Sequence, residues 1–222
     1  MLSQERRLLA DTLFAIQISG ALVVCGSQFV RLLETTEGQL ISKFILSEAY
    51  LLLHIMLATS AHRAQSSTVT TQTLWIYSAW TGGFALDIVA ILCNGDYEWS
   101  HNDTTAFGIA FSGVATALFV KWCGIGWHDP ILKSIIVIFV QVAPHFLIAA
   151  EVAREGGAGI PVWAIIAGNI TISVRVVHVW LSVREARWDR NRVCMCINET
   201  MNEISWLTVS LTWLLVPERG FA

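Results

Sequence analysis

The stretch LFAIQISGALVVCGSQFVRLL, Leu13 to Leu33, decides the fold class. It is apolar almost throughout, and Arg6 and Arg7 precede it. A helix needs about 20 mainly apolar residues to cross the hydrocarbon core of a bilayer. This run is longer than the apolar core of a cleavable signal peptide, so it is expected to stay as a first span.

Six more runs of the same kind follow. The seven expected spans are 12–33, 39–59, 73–93, 105–122, 131–150, 160–183 and 198–217. The seventh has the weakest signal, because Glu199, Asn202 and Glu203 crowd its start. The expected fold class is therefore an all-α integral membrane protein with seven transmembrane helices. Short connections leave no room for an inserted soluble domain, and Gly95-Asp96 and Asp129-Pro130 punctuate two of them as turns.

Composition agrees. Of 222 residues, 55% are hydrophobic and 14% charged, against about 25% charged in a typical soluble domain. Ten tryptophans suit membrane interfaces. The net charge of −3 gives no basic field for nucleic acid. Five scattered cysteines form neither a disulfide framework nor a zinc set; Cys194-Met195-Cys196 has no second pair.

Lys and Arg set the orientation. The N-terminal side holds nine: Arg6, Arg7, Arg63, Lys121, Lys133, Arg184, Arg187, Arg190 and Arg192. The other side holds four: Arg31, Lys43, Arg154 and Arg219. The N-terminus is expected to be cytoplasmic. The triplet Asn102-Asp103-Thr104 then falls on the outer side as an N-glycosylation pattern close against span four.

Two stretches repeat. Ser27-Gln28 is followed by Glu37-Gly38 and by Leu40-Ile41-Ser42 opening a span. Pro144-His145 is followed by Glu155-Gly156-Gly157-Ala158-Gly159 and by Ile160-Pro161-Val162-Trp163 opening a span. Each stands where the first helix of a three-helix unit passes to the second. This divides the chain into a first unit (1–104), a linker span (105–122) and a second unit (123–222), a 3+1+3 arrangement. The pattern resembles the PQ-loop superfamily, which includes the SWEET transporters. There a Pro-Gln pair ends a helix, and a polar loop closing on Glu-Gly-Leu-Ser or similar follows. Neither Ser27-Gln28 nor Pro144-His145 is the full pair. The resemblance implies a transporter built of two three-helix repeats, and an external N-terminus, where the charge count gives the reverse. A proline inside a span removes a backbone hydrogen bond, which makes Pro144 a candidate hinge.

Charged groups inside a bilayer cost about 2.5–3.5 kcal/mol each on insertion scales, so they are seldom there without a partner or a function. Glu48, Asp87 and Arg175 lie within expected spans, accompanied by Gln17, His54, Gln141, His145, Asn169 and His178. Thr171, Arg175, His178 and Ser182 share one helix face, as do Lys43, Ser47, Tyr50 and His54. Aligning Gly38 with Gly159 sets Glu48 opposite Asn169 and His54 opposite Arg175. Two polar faces brought together would enclose a wet central cavity. The expected binding residues are Gln28, Glu48, His145, Asn169 and Arg175, with Asp87 as a proton or ion site. Arg175 is expected to pair with Glu48 or Asp87. Lys43 is expected to snorkel, and Trp163 to anchor at the interface or to roof the cavity.

The function expected is transport of a small polar solute by alternating access. Two other classes fit the same features: a structural subunit of a larger membrane complex, and a PQ-loop-like sorting receptor. No hydrolytic or nucleotide motif points to an enzyme. The last expected span has no lysine for retinal, the histidines lack a haem-pairing spacing, and no cofactor or metal is implied. The expected partners are the lipid bilayer, the solute, and a homo-oligomer or other membrane subunits. One test follows from the charge count. A cysteine placed in the Arg184–Arg192 loop, in a background freed of the native thiols, should react with an impermeant maleimide only after lysis. Labelling in intact cells reverses the orientation.

Overall fold

The computed structural model describes residues 4–36, 39–95, 97–126, 129–156, 160–185 and 190–216. The Glu37-Gly38 pair, Gly157 to Gly159 and the middle of the arginine-rich loop lie outside the described residues. The described residues form seven α-helices: α1 (Gln4–Glu34), α2 (Ile41–Ala64), α3 (Thr68–Asn94), α4 (His101–Trp122), α5 (Pro130–Glu155), α6 (Val162–Glu185) and α7 (Arg190–Leu215).

Most helices outrun the apolar runs that announce them, because polar residues at their ends make caps. Ser67 accepts from the Thr70 amide and Ser100 from the Asp103 amide, each in a reciprocal capping box that starts α3 and α4 a full turn or so early. Asp129 caps the Ile131 amide with Pro130 as the first residue of α5. Gly95, at φ 78°, ends α3 in a left-handed conformation that a side chain resists.

Helices α1 to α6 are each long and apolar enough to cross a bilayer, a set compatible with a multi-pass membrane protein. Apolar side chains cover much of the outside, among them Leu22, Leu86, Phe111, Phe119 and Trp180. Helix α7 has two faces. Ile197, Met201, Ile204, Leu211 and Leu215 are exposed, whereas Asn198, Glu199, Asn202, Ser205 and Ser210 are buried. Its polarity points inward.

The helices neighbour one another in a pattern that repeats. Helix α3 packs between α1 and α2, and α7 packs between α5 and α6. Between the two sets, α1 lies on α6 and α2 on α5, while α3 touches α6 and α7 touches α2. Exchanging the first three helices for the last three leaves this list unchanged. Helix α4 stands aside, on α5 and α2. It meets them with a stripe of small residues, Ala106, Ala110, Gly113 and Ala117. The α1–α6 contact is close: a Cβ built on Gly20 would sit 2.7 Å from the Thr171 side chain.

Two polar clasps fasten the ends. Near the start of α2, Asp103 accepts from the Ser42 amide at 2.9 Å, from the Ser100 amide and hydroxyl, and from the Tyr97 phenol. Tyr97 in turn accepts from the Ile41 amide at 2.9 Å. Burial, then the bond to the Asp103 carboxylate, hold the Tyr97 phenol above its ordinary range, so it stays a donor. At the other end, buried Arg192 of α7 donates to the Ala61 and Gln65 carbonyls at the end of α2 and to the Ser182 carbonyl of α6. It satisfies acceptors that a helix end leaves open.

In the triplet Asn102-Asp103-Thr104, Asp103 belongs to the first clasp and Asn102 bonds Glu151 inside the capped start of α4. A sequon held this way is not presented as an extended acceptor. The second clasp gives a test. Arg192→Ala should cost about 3 kcal/mol, the value of charge-assisted bonds to carbonyls left unmade. The measurement is the melting temperature in detergent; an unchanged value removes Arg192 from the packing account.

Candidate functional site

Thr171, Arg175, His178 and Ser182 on α6, and Lys43, Ser47, Tyr50 and His54 on α2, are all buried. The two polar faces point inward. Between them, and closed by α1, α3, α5 and α7, lies a cavity of about 50 Å³. Its polar lining is Gln28, Lys43, Ser47, Tyr50, Gln141, His145, Arg175 and Asn202, with Trp80, Phe84 and Trp206 as aromatic walls. Each outer set of three helices contributes, and α4 does not. At about 10–15 Å³ per water, the cavity has room for roughly three or four.

Behind the lining, beneath Arg175, stands one carboxylate. Glu199 of α7 is fully buried. Tyr77 of α3 donates to its Oε1 at 2.7 Å. The Arg175 guanidinium lies 3.6 Å from the same oxygen, and His54 Nε2 lies 3.9 Å away. Asn202 bonds the other oxygen at 3.5 Å, and Tyr50 sits against the group. His54 Nδ1 is 3.1 Å from the Tyr50 carbonyl, which only accepts, so that nitrogen carries a proton. Arg175 is also sandwiched by aromatics, 4.9 Å from the Trp80 ring centre and 5.6 Å from that of Tyr77.

A second chain of bonds crosses the site. Ser47 donates to Gln141, and Gln141 donates to Asn202 at 2.8 Å. His145 meets the Ser205 hydroxyl at 2.7 Å and leans on the Trp206 ring. Trp206 fills the space left by Gly168: a Cβ there would be 2.7 Å from its Nε1. The Lys43 ammonium lies 5.0 Å from the Phe44 ring centre and 5.4 Å from that of Trp206.

The structure does not bring all of the expected site residues together. Gln28, His145 and Arg175 line the cavity, but Glu48 and Asn169 do not. Glu48 is half-buried on the flank of α2 nearest Ala85 of α3. Asn169 turns to α7, where it donates to Ser210 at 2.8 Å. Asp87 is fully buried outside the lining, with neither oxygen hydrogen-bonded, and interacts with the charge of Lys43. Arg175 pairs with Glu199 in place of Glu48 or Asp87, because α7 rather than α2 or α3 brings a carboxylate within reach. Lys43 does not snorkel: the polar face of α2 carries it inward. Trp163 is exposed on the outside and roofs nothing. Pro144 is buried inside α5 next to His145, and the helix runs through it.

Glu199 is the residue that sequence reasoning missed. Its signal was there: Glu199, Asn202, Trp206 and Ser210 share one helix face, opposite the apolar stripe of Ile197, Met201 and Ile204. Searches of family models, curated proteins and solved structures return no match for the chain.

Breaking the central pair has a defined cost. Arg175→Ala strands a buried carboxylate and should lower stability by about 3–5 kcal/mol. The double variant Arg175→Met with Glu199→Gln should recover much of the loss, because it strands no charge. Yield and melting temperature of the three proteins check this; a double variant no better than Arg175→Ala dissolves the pairing.

Proposed function

We propose that the chain is an integral membrane carrier, not an enzyme, that moves a small polar solute by alternating access between two three-helix units. The observation that carries this is the position of the polar cavity. It lies where both sets of three helices meet, and the outlying helix α4 takes no part in it. Repeat interfaces near the middle of the bilayer are where carriers of this type place their substrate.

In this reading α7 is the seventh span. Its outward stripe of Ile197, Met201, Ile204, Leu211 and Leu215 would meet lipid, and its polar residues would be spent on the site. The units are 1–104 and 123–222, joined by the span 105–122. The identical neighbour order of the two sets supports a 3+1+3, PQ-loop-like architecture. Gln28, His145 and Arg175 would contact the solute. Asp87 would carry the coupling proton or ion, supported by its unpartnered oxygens and the charge of Lys43 opposite. Pro144, beside His145, would be the hinge of α5.

A second reading has its own support. An apolar groove of about 470 Å³ runs between α1 and α3 on the outside, past Leu22, Gly26, Phe29, Gly82 and Leu86. It would suit a structural subunit that seats another membrane helix.

Accessibility separates the two without knowledge of the solute. With Ser47→Cys or Asn202→Cys in a background lacking native thiols, a small impermeant thiol reagent should reach the cavity from either side of the membrane. Protection from both sides in an inserted protein rejects alternating access and favours the subunit.

A further inference from the structure

The cavity shows a marked one-sidedness in its chemistry. Four buried nitrogens of its lining have no hydrogen-bond partner: Gln28 Nε2, Trp80 Nε1, Arg175 Nε and Trp206 Nε1. All four are N–H donors. The hydroxyl of Tyr50, also a lining residue, has no hydrogen-bond partner either and lies against Glu199, where a phenol can only donate. The lining includes two cations, Lys43 and Arg175, and no carboxylate. Glu199 and Asp87 stand behind it, the first on Arg175 and the second felt by Lys43. Among the described residues no carboxylate lies within ion-pair distance of Lys43, whose ammonium instead rests on the Phe44 and Trp206 rings.

Burying a donor without a partner costs roughly 1–3 kcal/mol, and native proteins keep few such groups. Four on residues that line one small space call for an acceptor. Water supplies acceptors, but each water also brings two donors, and the lining offers them few open acceptors. An anion accepts from every direction and answers the cations as well. A cavity of about 50 Å³ suits a small anion.

On the transporter reading above, we propose that the solute is a small monocarboxylate of about the size of acetate. Its carboxylate would sit among Gln28, Arg175 and the two indole N–H groups, facing Lys43. The binding claim rests on the donor array alone; only the word solute depends on transport.

The test uses the full-length protein in nanodiscs and reads both its melting temperature and the fluorescence of its tryptophans. The probes are sodium acetate, its neutral counterpart acetamide, the cation methylammonium, and chloride. At about ten times the dissociation constant, acetate should raise the melting temperature by about 4 °C and change the emission, and acetamide and methylammonium should do neither. Lys43→Met and Gln28→Leu should each cut acetate affinity at least tenfold in proteins that still elute and melt as folded. If either variant fails to fold, the order of the four probes on the wild-type protein decides alone. An equal response to acetamide or methylammonium overturns the anion site. A response to chloride equal to that to acetate overturns the carboxylate. Acetate binding in a protein whose cavity is sealed from both sides upholds the site and rejects transport. A cavity reached from both sides but indifferent to acetate rejects this inference and leaves the carrier standing.

Discussion

A single buried carboxylate organises this molecule. Glu199 is fully buried among the helices, so its charge must be answered by the chain. Arg175 answers it from α6, Tyr77 from α3 and His54 from α2. Helix α7 therefore cannot rotate without stranding a charge. With Glu199 fixed inward, Asn202 and Trp206 fall into the cavity and the aliphatic residues fall outside. The guanidinium of Arg175 never deprotonates to escape its site. Its aromatic neighbours and Glu199 together make that burial tolerable.

The meeting at Glu199 also reflects the doubled neighbour pattern. Aligning the two repeated loops places His54 and Arg175 at equivalent positions of α2 and α6. Both reach the same oxygen of Glu199, His54 from the first set of helices and Arg175 from the second. Helices α2 and α6 hold corresponding places in that neighbour pattern. The equivalence is chemical only in part. An imidazole and a guanidinium hold one carboxylate unequally, so the centre of the molecule is chemically asymmetric although the list of helix neighbours is doubled.

Much of the scaffold was legible in the sequence. The apolar runs located seven helices, since helix period and span length are local properties. The inward faces of α2 and α6 were legible for the same reason: four polar residues at helical spacing mark a side. What the sequence hid was long-range. Lys43 near a helix start has the spacing of a snorkelling residue, and only the packing of α2 against α5 and α7 shows it turned inward. Glu199 weakened the signal of its own helix because average hydropathy penalises a polar face even when that face is the buried one. Glu48 and Asn169 were drawn into the site by repeat alignment, yet each sits about a third of a turn off the cavity, where a neighbouring helix takes it. Helix ends were underestimated because capping boxes are polar and lie beyond the apolar core.

The polar ties between the two sets are not spread evenly along the bundle. Arg192 of α7 grips the carbonyls that close α2. His178 of α6 meets Gln72 of α3, and Gln72 bonds Asp11 of α1. His54 and Tyr77 reach across to Glu199. All of these lie in the half of the bundle where α1 and α3 begin. On the other half, beyond Ser47 and Gln141, the cavity is walled mainly by apolar and aromatic side chains such as Val24, Phe44, Phe84 and Ile172. Apolar walls separate with little directional resistance, whereas each buried polar tie must find a new partner before it can break. These ties between the two sets thus gather on the side of the N-terminus, while the clasp of Asp103 and Tyr97 on the other side joins α2 to the start of α4. On the carrier reading proposed above, opening the side of the N-terminus would require the ties there to be released, and Glu199, reached from both sets, is where those of His54 and Tyr77 meet.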